Sequence, residues 1–165
     1  IDQESESVFI TYKPLLLIFI FIAATTAIAS MNDGKIDLML WMRYFMAGFF
    51  IVFSFFKFLN LAGFAESYAM YDVLAKRVKV YGLIYPFLEL FLGVAYLTNF
   101  EPKITYIVTI FLMSFSSIGV IQSVYDKKKI RCACLGAVFN LPMSKITIIE
   151  NLTMVVMACL MLWKV

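Results

Sequence analysis

The sequence predicts an all-α membrane protein: a four-helix transmembrane bundle plus one extra N-terminal transmembrane helix and an interfacial amphipathic helix. Three observations predict it. Of the 165 residues 63% are hydrophobic and 15% charged, against roughly 45–50% apolar and about 25% charged in a soluble domain. Five stretches are apolar over close to the ~20 residues that cross a bilayer core. The Lys and Arg side chains gather in the connections of one side of those stretches.

Taken in order, residues 1–13 read as a polar tether whose acidic start is unlike the basic head of a signal peptide; the beginning at Ile1 suits a chain cut from a longer protein. Residues 14–31 form an accessory span from Pro14 to about Ser30. Proline is tolerated at a helix start, and Asn32-Asp33-Gly34 ends the span. The second span runs from about Leu38 to Leu61 and is crowded with Phe. In residues 62–79, Phe64, Tyr68, Tyr71 and Leu74 or Ala75 recur at helical spacing with Glu66, Asp72, Lys76 and Arg77 between them. That pattern predicts an amphipathic helix lying in the interface. The third span covers about Val80 to Leu97 and is broken by Asn99 to Pro102. The fourth covers about Ile104 to Val124, closed by Asp126-Lys127-Lys128-Lys129, and the fifth about Ser144 to Trp163. Residues 38–165 thus make the four-helix domain.

Five spans put the N-terminal tail, residues 62–79 and the 125–143 loop on one side. That side holds Lys13, Lys76, Arg77, Lys79, Lys127, Lys128, Lys129, Arg131 and Lys145; the other holds Lys35, Arg43, Lys103 and Lys164. The positive-inside rule then places the N-terminus and the loop in the cytoplasm of a bacterium, with the chain multi-pass in the inner membrane. The net charge of +3 speaks of orientation in lipid and of no nucleic-acid partner. Histidine is absent, which weakens a hydrolase or zinc-enzyme reading.

The sharpest chemical signal is Cys132-Ala133-Cys134-Leu135-Gly136. Two thiols one residue apart, beside Lys127, Lys128, Lys129 and Arg131, sit in a positive field that favours thiolate. Such a pair can chelate a soft cation, Cu(I) or Hg(II), or exchange with another disulfide; the bland alternative is two inert loop cysteines. A ring closed directly between the two would be small and strained, so a mixed disulfide with a partner is easier. Cys159, far along the fifth span, reads as a small packing residue.

Ionisable side chains inside a bilayer cost a few kcal/mol each and are functional by default. Lys57, Glu89 and Glu150, with Gln122, all fall in the half of the membrane nearest the cysteine loop when the helices are counted at ~1.5 Å per residue. This predicts an intramembrane polar chamber lined by Lys57, Glu89, Gln122 and Glu150. The competing reading is structural: Lys57 snorkels and pairs with one carboxylate as interhelical glue. Met39, Met42 and Met46, and again Met154, Met157 and Met161, share helix faces and read as filler before they read as a copper ladder.

The run Lys57-Phe58, Gly63-Phe64-Ala65, Tyr68-Ala69 and Tyr71-Asp72, then Tyr85-Pro86, Glu89-Leu90 and Gly93, then Cys132 to Gly136, then Thr147 and Glu150-Asn151-Leu152 resembles the MauE branch of the DoxX-like membrane proteins over residues 40–163. The resemblance implies a four-helix membrane bundle tied to thiol redox chemistry with a thioredoxin-like partner. It maps Cys132 and Cys134 onto the family's C-x-C, and Lys57, Glu89 and Glu150 onto its intramembrane polar positions. Some similar proteins carry an N-terminal heavy-metal-associated domain ahead of the extra span.

Three functions follow as expectations. The first is disulfide exchange through Cys132 and Cys134 with a soluble partner. The second is uptake or transfer of Cu(I) or Hg(II) through the same thiols, handed to a metallochaperone. The third is a non-catalytic subunit of a membrane complex.

Overall fold

A computed structural model describes the backbone of residues 2–69, 77–125 and 145–165, and most of their side chains but not those of Gln122 or Glu150. Its elements are α1 (Asp2–Ala29), β1 (Met31–Asn32), β2 (Lys35–Ile36), α2 (Leu38–Leu59), α3 (Leu61–Tyr68), α4 (Lys79–Thr98), α5 (Pro102–Tyr125) and α6 (Lys145–Lys164). The protein is predominantly α-helical. Leu38–Leu59, Val80–Thr98 and Pro102–Gly119 are long and apolar enough to cross a membrane by length and composition, while Lys13–Ala29 and Asn151–Lys164 are shorter apolar helices.

Helix α1 starts well before the expected Pro14 and carries that proline inside. Beyond Ala29 the chain does not simply stop. Met31–Asn32 pairs antiparallel with Lys35–Ile36 around Asp33 and Gly34, whose φ values of 48° and 78° are those of a two-residue type I′ turn. The hairpin folds α2 back along α1. Asp37 caps α2: its Oδ1 accepts from the backbone N–H of Met39 at 3.0 Å and of Leu40 at 3.2 Å, satisfying donors a helix start leaves open.

Helix α2 is the hub. Its apolar residues recur at three- and four-residue steps, so Met42, Phe45, Met46, Phe49, Phe50 and Phe53 fall on buried faces. Phe19 of α1 meets Phe45 edge-on at 5.1 Å between centroids, and the Trp41 indole N–H donates to the Ala23 carbonyl at 3.2 Å. On another side α4 runs antiparallel to α2. A Cβ at Gly93 would lie 3.1 Å from the Ile51 backbone nitrogen, so the missing side chain lets the two helices approach.

Asn99 ends α4 in the left-handed region, φ 55°, and the Phe100 N–H turns back to the Ala95 carbonyl at 3.0 Å, an Asn-type helix stop. Helix α5 then descends against α4. The Tyr96 hydroxyl donates to Thr109 Oγ1 at 2.8 Å, and Thr109 Oγ1 donates to the Thr105 carbonyl at 2.8 Å. Met113, Met154, Ala158 and Met161 complete the core with α6. The methionines are therefore packing, with Met39 and Met157 partly buried at its margin. Cys159 is instead a free thiol on an exposed face of α6, so it does not fill a gap between helices.

Val165, at the end of α6, borders the same cavity as Asn99 and Pro102 of the α4–α5 turn. The bundle thus has two unlike ends. One holds the hairpin, the α4–α5 turn and the C-terminal end of α6. At the other lie the start of α1, the end of α2, α3, the start of α4, Tyr125 and Lys145.

Candidate functional site

At the second end, two short-range devices reverse the chain and build a charged site. Asn60 closes α2 and opens α3: its side-chain oxygen accepts from the Gly63 N–H at 3.1 Å, and its carbonyl accepts from the Phe64 N–H at 2.9 Å. Gly63 leaves the room this needs, since a Cβ there would lie 2.5 Å from the Asn60 amide nitrogen. Helix α3 is then held against α4 at a second glycine. A Cβ on Gly82 would lie 3.2 Å from the Ala65 Cα. One turn later Pro86, inside α4, has no N–H to give the Gly82 carbonyl.

These approaches bring Phe64 and Tyr85 together beside Lys57. The Lys57 ammonium lies 5.3 Å from the Phe64 ring centroid and 4.8 Å from that of Tyr85, within cation–π range, and the two rings stack at 6.0 Å with an interplanar angle of 23°. The same ammonium is ion-paired and hydrogen-bonded to the Glu89 carboxylate. Lys57 is 4% and Glu89 3% exposed. A charged pair this deep loses its hydration, and only close partnering compensates. Lys57 also occupies the last turn of α2, where a cation suits the helix dipole.

Of the residues read as chamber lining, the structure brings Lys57 and Glu89 into contact. Gln122 lies in the last turn of α5 and Glu150 in the early part of α6, with side chains outside the described residues, as are Cys132 and Cys134 altogether. Phe64 and Tyr85 complete the site and were not singled out as its members. Their signal was latent: Phe64 falls one turn after Asn60, Tyr85 one turn before Glu89. The amphipathic segment is helical over Leu61–Tyr68, while Tyr71 and Asp72 lie outside the described residues. Phe64, 1% exposed, turns into the bundle instead of lying along an interface.

The fold and the site together define a multi-pass helical membrane protein with a buried Lys–Glu pair caged by aromatic rings. Residues 35–164 match the family described as Methylamine utilisation protein MauE, and the chain belongs to that family. No match was found among curated proteins or among solved structures. The matched region starts at β2, so α1 lies ahead of it.

Proposed function

We propose that this protein is a membrane thiol protein that exchanges disulfides with a soluble, thioredoxin-like partner through Cys132 and Cys134. Four family helices, α2, α4, α5 and α6, cross the bacterial inner membrane, α1 crosses beside them, and the cysteine segment faces the cytoplasm. The observation that carries the reading is the buried Lys57–Glu89 pair. It lies at the end of the bundle where α5 finishes at Tyr125 and α6 begins at Lys145, so the intervening cysteine-bearing stretch departs from that end and returns to it. A charged pair in an apolar bundle is retained at an energetic cost.

In the exchange, a thiolate of the pair attacks one sulfur of the partner's disulfide. The partner's S–S bond breaks as a mixed disulfide forms, and the departing thiolate takes up a proton. The second thiol of the pair then attacks the sulfur of its neighbour and releases the partner's other thiol. The pair leaves as a disulfide, the partner as a dithiol, and two electrons have passed to the partner. Lys127, Lys128, Lys129 and Arg131 favour the attacking thiolate.

Cys134→Ser is expected to trap a partner on Cys132 as a mixed disulfide, visible on non-reducing gels and identified by mass spectrometry; Cys132→Ser/Cys134→Ser should trap none. Absence of any adduct with Cys134→Ser defeats the proposal. If the wild type instead takes up about one Cu(I), lost only when both cysteines are replaced, metal transfer replaces exchange as the reading.

A further inference from the structure

The opposite end of the bundle contains a second charged group that the thiol chemistry does not use. A cavity of about 290 Å³ opens between the start of α2, the α4–α5 turn and the end of α6, lined among others by Asp37, Arg43, Asn99, Tyr106 and Val165. Arg43 Nε is buried and has no hydrogen-bond partner among the described residues, and no carboxylate of those residues forms an ion pair with it. The acid on the cavity wall, Asp37, caps α2 through Oδ1, which accepts the Met39 and Leu40 N–H groups, and forms no ion pair with Arg43. Tyr44 covers one face of the guanidinium, 5.2 Å from Cζ to the ring centroid, and Nε stays unpartnered among the described residues.

An arginine cannot escape by losing its proton, and an unanswered N–H in a dry site costs as much as a broken hydrogen bond. A planar fork of donors beside a cavity, with the buried Tyr106 on its wall, fits an oxyanion. The depth fits too. Arg43 lies little more than one turn inside α2, with Trp41 and Tyr44 beside it, the aromatic types that collect at headgroup level.

We infer that this cavity is a phosphate-binding site, its guanidinium fork taking a phosphate oxyanion that an anionic phospholipid headgroup presents from the leaflet opposite the cysteine segment. This requires nothing of Cys132 or Cys134 and stands apart from disulfide exchange.

The test uses the full chain in neutral detergent, titrated separately with phosphatidylglycerol, phosphatidylcholine and inorganic phosphate, with bound lipid counted by native mass spectrometry and thermal melting followed in parallel. Phosphatidylglycerol is expected to bind the wild type about tenfold more tightly than it binds Arg43→Gln, the loss of one charge-assisted contact. An Arg43-dependent response to inorganic phosphate as well would keep the site and assign it to free phosphate. Should Arg43→Gln fail to fold, Arg43→Lys keeps the charge and loses the fork, and is expected to bind severalfold more weakly. Equal binding of phosphatidylglycerol and phosphate by the wild type and the folded Arg43 variant overturns the inference.

Discussion

Gly93 of α4 lies against the backbone of Ile51 on α2: a Cβ added there would come within 3.1 Å of the Ile51 nitrogen and 2.7 Å of its Cγ1. This contact sets the register of the two helices. From it, Phe58 meets Phe87 edge-on at 4.9 Å, and Lys57 reaches Glu89. Close helix approach through small residues is the usual route to association in lipid, where apolar surface alone gives little drive.

Gly93→Val should therefore force α2 and α4 apart. Overpacking of this kind costs about 1–3 kcal/mol, read as a lower unfolding free energy in mixed micelles. A variant as stable as the wild type would show that the approach is not needed.

Removing one member of the buried pair should be worse than removing both. Lys57→Met leaves the Glu89 carboxylate unpaired and Glu89→Leu leaves the Lys57 ammonium unpaired, each expected to lose about 3–5 kcal/mol, whereas Lys57→Met/Glu89→Leu should lose less than either single change. The double-mutant cycle measures the coupling; additive losses would mean that the pair is not one unit.

The relay from Tyr96 through Thr109 to Thr105 predicts an asymmetry. Tyr96→Phe removes a donor and leaves Thr109 bonded to the Thr105 carbonyl, for about 0.6 kcal/mol on the scale of interhelical hydrogen bonds in membranes. Thr109→Val strands the buried Tyr96 hydroxyl and should cost about 1–3 kcal/mol. Chemical unfolding of the two variants side by side decides the order.

Trp41→Phe should keep the ring contacts of α2 but lose the indole donation to the Ala23 carbonyl. The expected loss is about 0.5–1.5 kcal/mol, with faster amide exchange confined to α1. Unchanged exchange in α1 would show that the aromatic contacts alone hold that helix.

Much of this architecture was legible because membrane helices announce themselves by length and composition. Helices α2, α4, α5 and α6 fall where the sequence expects them, to within a few residues at their ends, and the first three are long and apolar enough to cross a membrane. The hairpin at Met31–Ile36 was not foreseen. Asn32-Asp33-Gly34 was taken as a helix stop, though Asp-Gly is also the pair that a two-residue hairpin turn needs. Counting along helices put Lys57 and Glu89 in the same half of the membrane, but it could not join them. Their contact depends on which face of α4 meets α2, and that is decided by Gly93 against Ile51. The spacing of Phe64 suits a surface helix, and the Asn60 cap and the Gly82 approach turn its ring inward. Arg43 was counted as a loop-side charge, when it is an arginine in α2 with an unmatched buried nitrogen.

The unlike ends of the bundle have a practical consequence for reporters. The first residues of α1 and the last of α6 emerge at opposite poles. On the proposed five-span topology, halves of a split fluorescent protein fused to the start of α1 and the end of α6 would mature on opposite sides of the membrane and stay dark. Moving one half from the C-terminus into the tight Asp33-Gly34 turn would leave it at the same far pole, whereas a graft between Tyr68 and Lys79 or between Tyr125 and Lys145 would bring the halves to one pole and give light.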